Sequence, residues 1–315
     1  MVGVFGRWVL AFVWAGLAML VSGAQAELCA PTDADLAALA DRDFRRLPAE
    51  ERALLDRLCL EESTVTVGGE GIGITTLRHE TREADTLFVA LHDDEQEATR
   101  ALIWALWTFG GRGILVEVDE RRYLRSACPP DYAECDPNRI FGRRGFSAYT
   151  DVFRKAFKNV PRIVSLHTNR PSGLFDLNTV LSTGICDAGD DPDIFVLTGE
   201  MQPGATMSCG RGELKTLTDR GLNAAYLLFD PVDDPEKSCR LGCDLQTYAT
   251  RNLGKVYYNL EGERGDGVEK ARRQLCAVLD PSGENYPCTP YIGETEKNFQ
   301  PLVTDAAPLR AEGDR

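Results

Sequence analysis

Between Thr64 and Leu279, short apolar runs alternate with longer segments of helical period, and this alternation restricts the possible folds more than any other feature of the 315-residue chain. "TLFVAL", "ILVEV", "RIVSLHT", "DIFVLT", "AAYLLF" and "KVYYNLE" have the length and apolar character of strands. The first of these is apolar without interruption, as a buried strand requires. Between and after them, "EQEATRALIWALWTF", "SAYTDVFRKAFKN", "DLQTYATRNL" and "GVEKARRQLCAVL" have helical spacing, and the first stops at Gly110-Gly111. Strands interleaved with helices predict a three-layer α/β/α sandwich with a mixed, mostly parallel central sheet. Upstream, Thr32 caps "DADLAALADRDF" and Pro48 opens "PAEERALLDRLCLEE" as a first-turn proline, so an N-terminal helical appendage is expected over residues 27–62. The α/β domain then runs over residues 63–292, and residues 293–315 form a poorly ordered tail.

Residues 1–26 stand apart from any core. One arginine, Arg7, precedes an apolar run from about Trp8 to Val21, and Ala24-Gln25-Ala26 supplies small residues for cleavage. This is the pattern of a secretory signal, so the chain is expected to be exported, to the periplasm or the exterior. After cleavage no stretch is long and apolar enough for a stable membrane span. All ten cysteines follow this signal. An even number in an exported chain argues for disulfides, with Cys29 and Cys59 available to pin the appendage. Cys128/Cys135, Cys239/Cys243 and Cys276/Cys288 are close neighbours that could also pair. No C-x2-C pair is present to suggest a cysteine zinc site. The net charge of 35 − 49 = −14 repels phosphate backbones and argues against a nucleic-acid partner.

In an open α/β sheet, ligands gather at the carboxyl ends of strands. Three predicted strand ends carry suitable chemistry. "TLFVAL" delivers His92, with Glu95 in the first turn of the next helix, "RIVSL" delivers His167, and "KVYYNL" delivers Glu261. Two imidazoles and one carboxylate form a common catalytic zinc set, and a second carboxylate off the metal would take a proton from water. Each histidine alone also fits a capping or core role. It is their coincidence, two of the chain's three histidines after buried strands, that favours a site. His79, in "TTLRHE", lacks that setting and is expected to be structural or at the surface. "DPNRIF" is a turn sequence in which an arginine is usually solvated, yet only arginine offers a planar fork to a carboxylate.

"LHDDE", "DPNRIF", "SLHTN" and "YYNLE", in that order from Thr86 to Glu263, resemble the zinc carboxypeptidase (funnelin) superfamily, including its compact and succinylglutamate desuccinylase/aspartoacylase branches. The resemblance implies that His92, Glu95 and His167 bind Zn2+, that Glu261 is the general base, and that Asn138 and Arg139 hold a substrate carboxylate. It implies a metallocarboxypeptidase or amidohydrolase acting on a peptide or acyl-amino acid with a free carboxylate, peptidoglycan stem peptides among them. Two departures stand out. "NLEGERGDG" replaces the usual threonine-x-glutamate, which leaves Glu263 as a rival base, and the oxyanion arginine is open among Arg121, Arg122, Arg143 and Arg144. The competing readings are a catalytically degenerate member that binds peptide or cell-wall ends, and a disulfide-stapled protein with no metal.

Overall fold

The structure is a computed structural model. It describes residues 27–288 except 40–42, 84, 125–134, 144, 170–181, 187–193, 201–222, 230–242, 264, 266 and 281–287. For 38, 169, 182–186, 194–200, 223–229, 251 and 263 it describes the backbone alone. The expected signal segment and tail, together with Cys128, Cys209, Cys239 and Arg144, lie outside the described residues.

Ten strands form one mixed sheet: β1 (Leu28–Cys29), β2 (Leu58–Val67), β3 (Glu70–His79), β4 (Thr86–Ala90), β5 (Arg112–Glu117), β6 (Arg162–Asn169), β7 (Ser182–Cys186), β8 (Ile194–Glu200), β9 (Asn223–Phe229) and β10 (Val256–Glu263). Their order is β1-β2-β3-β5-β4-β6-β10-β8-β9-β7. The central strands β5, β4, β6 and β10 run parallel to one another. The β8–β9 pair is also parallel, and the remaining pairings are antiparallel.

Helices cover both faces of this sheet, as the three-layer pattern requires. Alternate residues of a strand point to opposite faces, and the two cores divide accordingly. Phe88, Ala90, Val164, Leu166, Tyr258 and Leu260 pack against α4 (Gln96–Phe109) and α6 (Gly267–Leu279). Leu87, Val89, Leu91, Ile163 and Tyr257 face the other way, against Tyr149, Phe153 and Phe157 of α5 (Ser147–Phe157). The α4 helix ends as its sequence predicts, with Gly110 at φ 79°. A Cβ there would lie 2.6 Å from Cβ of Arg82, so glycine serves both the turn and the close approach.

The N-terminal segment departs from expectation in one respect. Thr32 does cap α1 (Asp33–Ala38) through a capping box with Asp35, and α2 (Asp43–Arg46) and α3 (Ala49–Arg52) follow. Pro48 sits at the N-cap of α3, one position before the first turn. The helix expected to continue through Glu62, however, gives way after the 3-10 helix Ala53–Arg57 to strand β2. Local helix propensity in "LCLEE" is outweighed by ten consecutive cross-strand pairs with β3, closed by a two-residue turn at Gly68 and Gly69, both at positive φ. Cys29 and Cys59 are directly paired across β1 and β2 and joined by a disulfide, so the bridge links strand to strand. Leu36, Leu39, Phe44, Leu47 and Leu55 nevertheless complete the core beneath α4. Buried Glu51 ties that layer together, accepting two bonds from Arg100 at 2.6 and 2.8 Å and one from Arg272 at 3.2 Å.

A second bridge, Cys276–Cys288, ties α6 to the loop after it. Cys135 and Cys243 are disulfide-bonded as well, and no cysteine among the described residues is free. No helix among the described residues is long and apolar enough to cross a membrane.

His79 is structural, as expected. It is buried at the end of β3, where its Nδ1 accepts from the backbone N–H groups of Thr81 and Arg82, each at 3.1 Å. Burial, aided by the charges of Arg82 and Arg57, lowers its pKa. A depressed folded pKa means the fold prefers the neutral ring. The corresponding stability is present above the unfolded value of about 6.5 and is lost as pH falls through the lower folded value. Thermal melts should therefore show wild type losing Tm between pH 7 and pH 5 more steeply than His79→Gln, which has no ring to titrate.

Candidate metal centre

The parallel trio β4, β6 and β10 places three chemically active strand ends side by side. β4 ends at Ala90, Leu91 anchors in the apolar core, and the chain turns through His92 so that Glu95 caps α4, with the Glu95 N–H donating to the His92 carbonyl. In the adjacent strands His167 stands directly opposite Glu261.

Three buried side chains converge there: His92, Glu95 and His167, with a donor atom from each lying within 4.8 Å of the others. His92 Nδ1 is 3.2 Å from His167 Nδ1 and 2.9 Å from Glu95 Oε1, and His167 Nδ1 is 3.4 Å from Glu95 Oε2. Zinc bonds of about 2.0–2.1 Å in a tetrahedron separate neighbouring ligand atoms by ~3.3–3.4 Å. The three spacings thus bracket or approach what one zinc ion needs. The outer nitrogens of both rings are engaged elsewhere. His92 Nε2 lies 2.8 Å from Asp136 Oδ1, and His167 Nε2 lies 2.9 Å from Ser165 Oγ. With protons on both Nε2 atoms, both Nδ1 lone pairs face the same point. An N,N,O donor set of this kind suits zinc.

The electrostatics of the cluster are those of a balanced buried network. Burial works against the charged form of His92, but Glu95 and Asp136 outweigh it and raise the pKa to about 9. Burial likewise opposes ionisation of Glu95, yet His92 and His167 hold its carboxyl well below the usual range. Asp136 is lowered to about 2, because His92, Arg139 and Arg122 overcome its burial.

Glu261 is buried beside these groups but is not one of the three converging donors. Its Oε1 accepts from Asn259 Nδ2 at 2.6 Å. Burial raises its pKa, His167 pulls it down and Glu95 pushes it further up. A buried carboxyl group with a raised pKa beside this cluster is able to exchange a proton nearer neutral pH than an ordinary glutamate. The next residue, Gly262, fits because a Cβ there would lie 2.9 Å from the Gly267 carbonyl oxygen, where β10 passes the start of α6. For the rival base Glu263, the side chain lies outside the described residues.

Of the arginines left open by sequence, Arg122 reaches the cluster, its Nη1 donating to Glu95 Oε1 at 2.7 Å, and Arg144 lies outside the described residues. Arg121 is turned to Glu70 at 2.9 Å. The loop carrying Arg122 is held in an unusual shape, with Asp119 and Glu120 in the left-handed region at φ 56° and 57°. Asp93 Oδ2 accepts from the backbone N–H groups of both Val118 and Glu120, and the Glu120 side chain pairs with Arg46 at 2.7 Å. Asn138 and Arg139 occupy the 3-10 turn Pro137–Arg139 after Asp136. The Asn138 Oδ1 accepts from Leu245 N–H at 3.0 Å and so supports the helical turn Leu245–Thr247, which widens into a π-helix at Tyr248–Asn252. Arg139 is exposed, donating to the Asn138 carbonyl at 3.4 Å.

Sequence reasoning named the converging trio and Glu261 but missed Asp93, Asp136 and Ser165. All three sit inside the stretches already singled out: Asp93 follows His92 directly, Asp136 opens the "DPN" turn and Ser165 begins "SLHTN". Removing the Asp136 carboxylate should weaken metal binding by about 10- to 100-fold, the usual cost of losing a partner that orients a ligand histidine. Competition of Asp136→Ala against a chromophoric chelator measures this.

No protein-family model and no curated protein matches this chain. Solved structures do show likeness. An aspartoacylase family protein from Mesorhizobium loti is 15% identical with a TM-score of 0.37 over 70% of this chain and 66% of that one, just under two thirds of its length. Thrombin activatable fibrinolysis inhibitor is 11% identical with a TM-score of 0.41, covering 77% of each chain. The LapA aminopeptidase of Legionella pneumophila is 11% identical with a TM-score of 0.33, over 73% of this chain and 52% of that one.

Proposed function

We propose that this chain is an exported zinc-dependent hydrolase that cleaves an amide bond next to a carboxylate-bearing residue. The observation carrying this reading is the convergence of His92, Glu95 and His167 on one point, with a second buried acid, Glu261, outside the donor set. A zinc ion held by that trio supplies Lewis acidity and lowers the pKa of water toward ~7.

The chain's own residues divide the remaining work. Glu261 takes the proton from the attacking water and returns it to the leaving amine. Its raised pKa and buried setting suit both steps. Arg122, already at the edge of the cluster, offers a fixed positive charge to the oxygen that becomes negative as the carbonyl is attacked. Asp136 holds the His92 ring and Asn138 braces the turn beneath Arg139. Arg139, exposed next to Asp136, presents a planar fork to the carboxylate of a peptide or acyl-amino acid. The signal-like first 26 residues favour extracytoplasmic peptides, such as those of peptidoglycan stems, over cytosolic acyl-amino acids.

Elemental analysis of purified protein should give about one zinc per chain, and His167→Ala should lose it, because a trio reduced to two donors falls short of a zinc site. A His167→Ala protein with full zinc occupancy would remove this residue from the centre. Glu261→Gln should keep its metal while turnover of a cleaved stem peptide, followed by mass, drops by roughly 10²- to 10⁴-fold, the usual contribution of general base catalysis. Zinc in the wild type with no cleavage across peptides and acyl-amino acids would favour the binding-module alternative.

A further inference from the structure

The two ligand histidines are supported in different ways. The outer nitrogen of His92 meets a carboxylate, Asp136, whereas that of His167 meets a neutral hydroxyl, Ser165. Ser165 is two residues before His167 in β6, and thus on the same face of the sheet. Its hydroxyl is also hydrogen-bonded to the hydroxyl of Tyr257 on β10. Tyr257 is paired with Ile163 in the register, so its ring crosses diagonally to reach Ser165. Ser165 is fully buried and Tyr257 is 1% exposed, and the same face of the sheet is lined by Val89, Leu91 and Ile163.

A serine hydroxyl donates one hydrogen bond and accepts up to two. One polarity leaves Nδ1 of His167 as a lone pair: the His167 Nε2–H donates to Ser165 Oγ, and the Ser165 O–H donates to the Tyr257 hydroxyl oxygen. The reverse tautomer would put a proton on His167 Nδ1, facing His92 Nδ1 at 3.2 Å and Glu95 Oε2 at 3.4 Å, and that proton would occupy the point where a metal would bind.

We propose that Ser165 and Tyr257 are positioning residues, a neutral hydroxyl relay that fixes the tautomer and ring orientation of His167 so that its Nδ1 binds the metal. The inference rests on the metal reading given above. The neutral character has a physical reason. Glu95, Asp136 and Glu261 already place three carboxyl groups around two imidazoles, and Glu261 stands opposite His167 in the register. A carboxylate in place of Ser165 would add a fourth buried carboxyl group to this network. The relay orients the ring without that charge.

Zinc affinities of wild type, Ser165→Ala, Ser165→Thr and Tyr257→Phe, measured by chelator competition with circular dichroism to confirm folding, test the relay. Ser165→Ala should weaken binding by about 10- to 100-fold, the scale for ligand-orienting partners. Ser165→Thr, which keeps a hydroxyl, should restore most of the affinity, and Tyr257→Phe should lose less than Ser165→Ala. Wild type that binds zinc together with Ser165→Ala of equal affinity would overturn the relay and leave the metal centre standing. Wild type that binds no zinc would overturn both. Nitrogen-15 NMR of the wild-type imidazoles gives a second readout needing no variant. The zinc-loaded protein should show the His167 proton on Nε2, and a proton on Nδ1 would overturn the relay.

Discussion

Everything at the candidate centre depends on the parallel pairing of β6 with its two neighbours. Val89 of β4 is level with Ser165, and Glu261 of β10 is level with His167. Because side chains alternate along a strand, a slip of one residue would turn His167 to the opposite face, among Val164, Leu166 and Leu260. The register is protected from such a slip by burial. Each of these strands buries apolar residues on both faces, so a shift would misplace two cores at once. The packing that stabilises the domain therefore also sets the chemistry at its strand ends.

The centre holds more charge than an interior normally admits. An isolated buried ion costs several kcal/mol even after relaxation, so each of these groups must be matched. Glu95 is met by both histidines, by Arg122 and by the Thr168 N–H at 2.9 Å. Asp136 is met by His92, by the Asn138 N–H at 2.7 Å and more distantly by Arg122. Glu261 is the exception. Its side chain accepts from the neutral amide of Asn259, and its pKa is raised where those of Glu95 and Asp136 are lowered. Acids in one network are thereby driven in opposite directions, which separates groups able to hold a cation from a group able to carry a proton.

Sequence pattern revealed the strand ends because buried parallel strands are continuous apolar runs, and a polar residue directly after such a run is conspicuous. His92, His167 and Glu261 were legible on that ground. The β2–β3 hairpin was not, because "LCLEE" carries helix-favouring residues and its strand character comes from pairing with residues farther along the chain. β7 was missed too, since "STGIC" is short and contains glycine, and it is held by its neighbour β9. Ser165 and Asp136 could not be recognised as supports from spacing alone. A serine within a strand or an aspartate opening a turn is common, and only the folded geometry brings each to the back of a particular imidazole.

The run of acids in "LHDDE" is a case where two similar residues, Asp93 and Glu95, perform unlike tasks. Glu95 joins the donor cluster from the N-cap of α4. Asp93 points away from that cluster and clamps two backbone N–H groups of the loop after β5. That loop has a reason to need a clamp. Two consecutive non-glycine residues in the left-handed region cost on the order of 1–2 kcal/mol each. The charge-assisted bonds to Asp93, the Glu120–Arg46 pair and the Arg121–Glu70 pair offset that cost around the loop. What the distortion achieves is the placement of Arg122, two residues after Glu120, against Glu95. The strand end thus determines both halves of the site at once: one acid binds in the cluster, and another, two residues earlier, bends a neighbouring loop until its arginine arrives there.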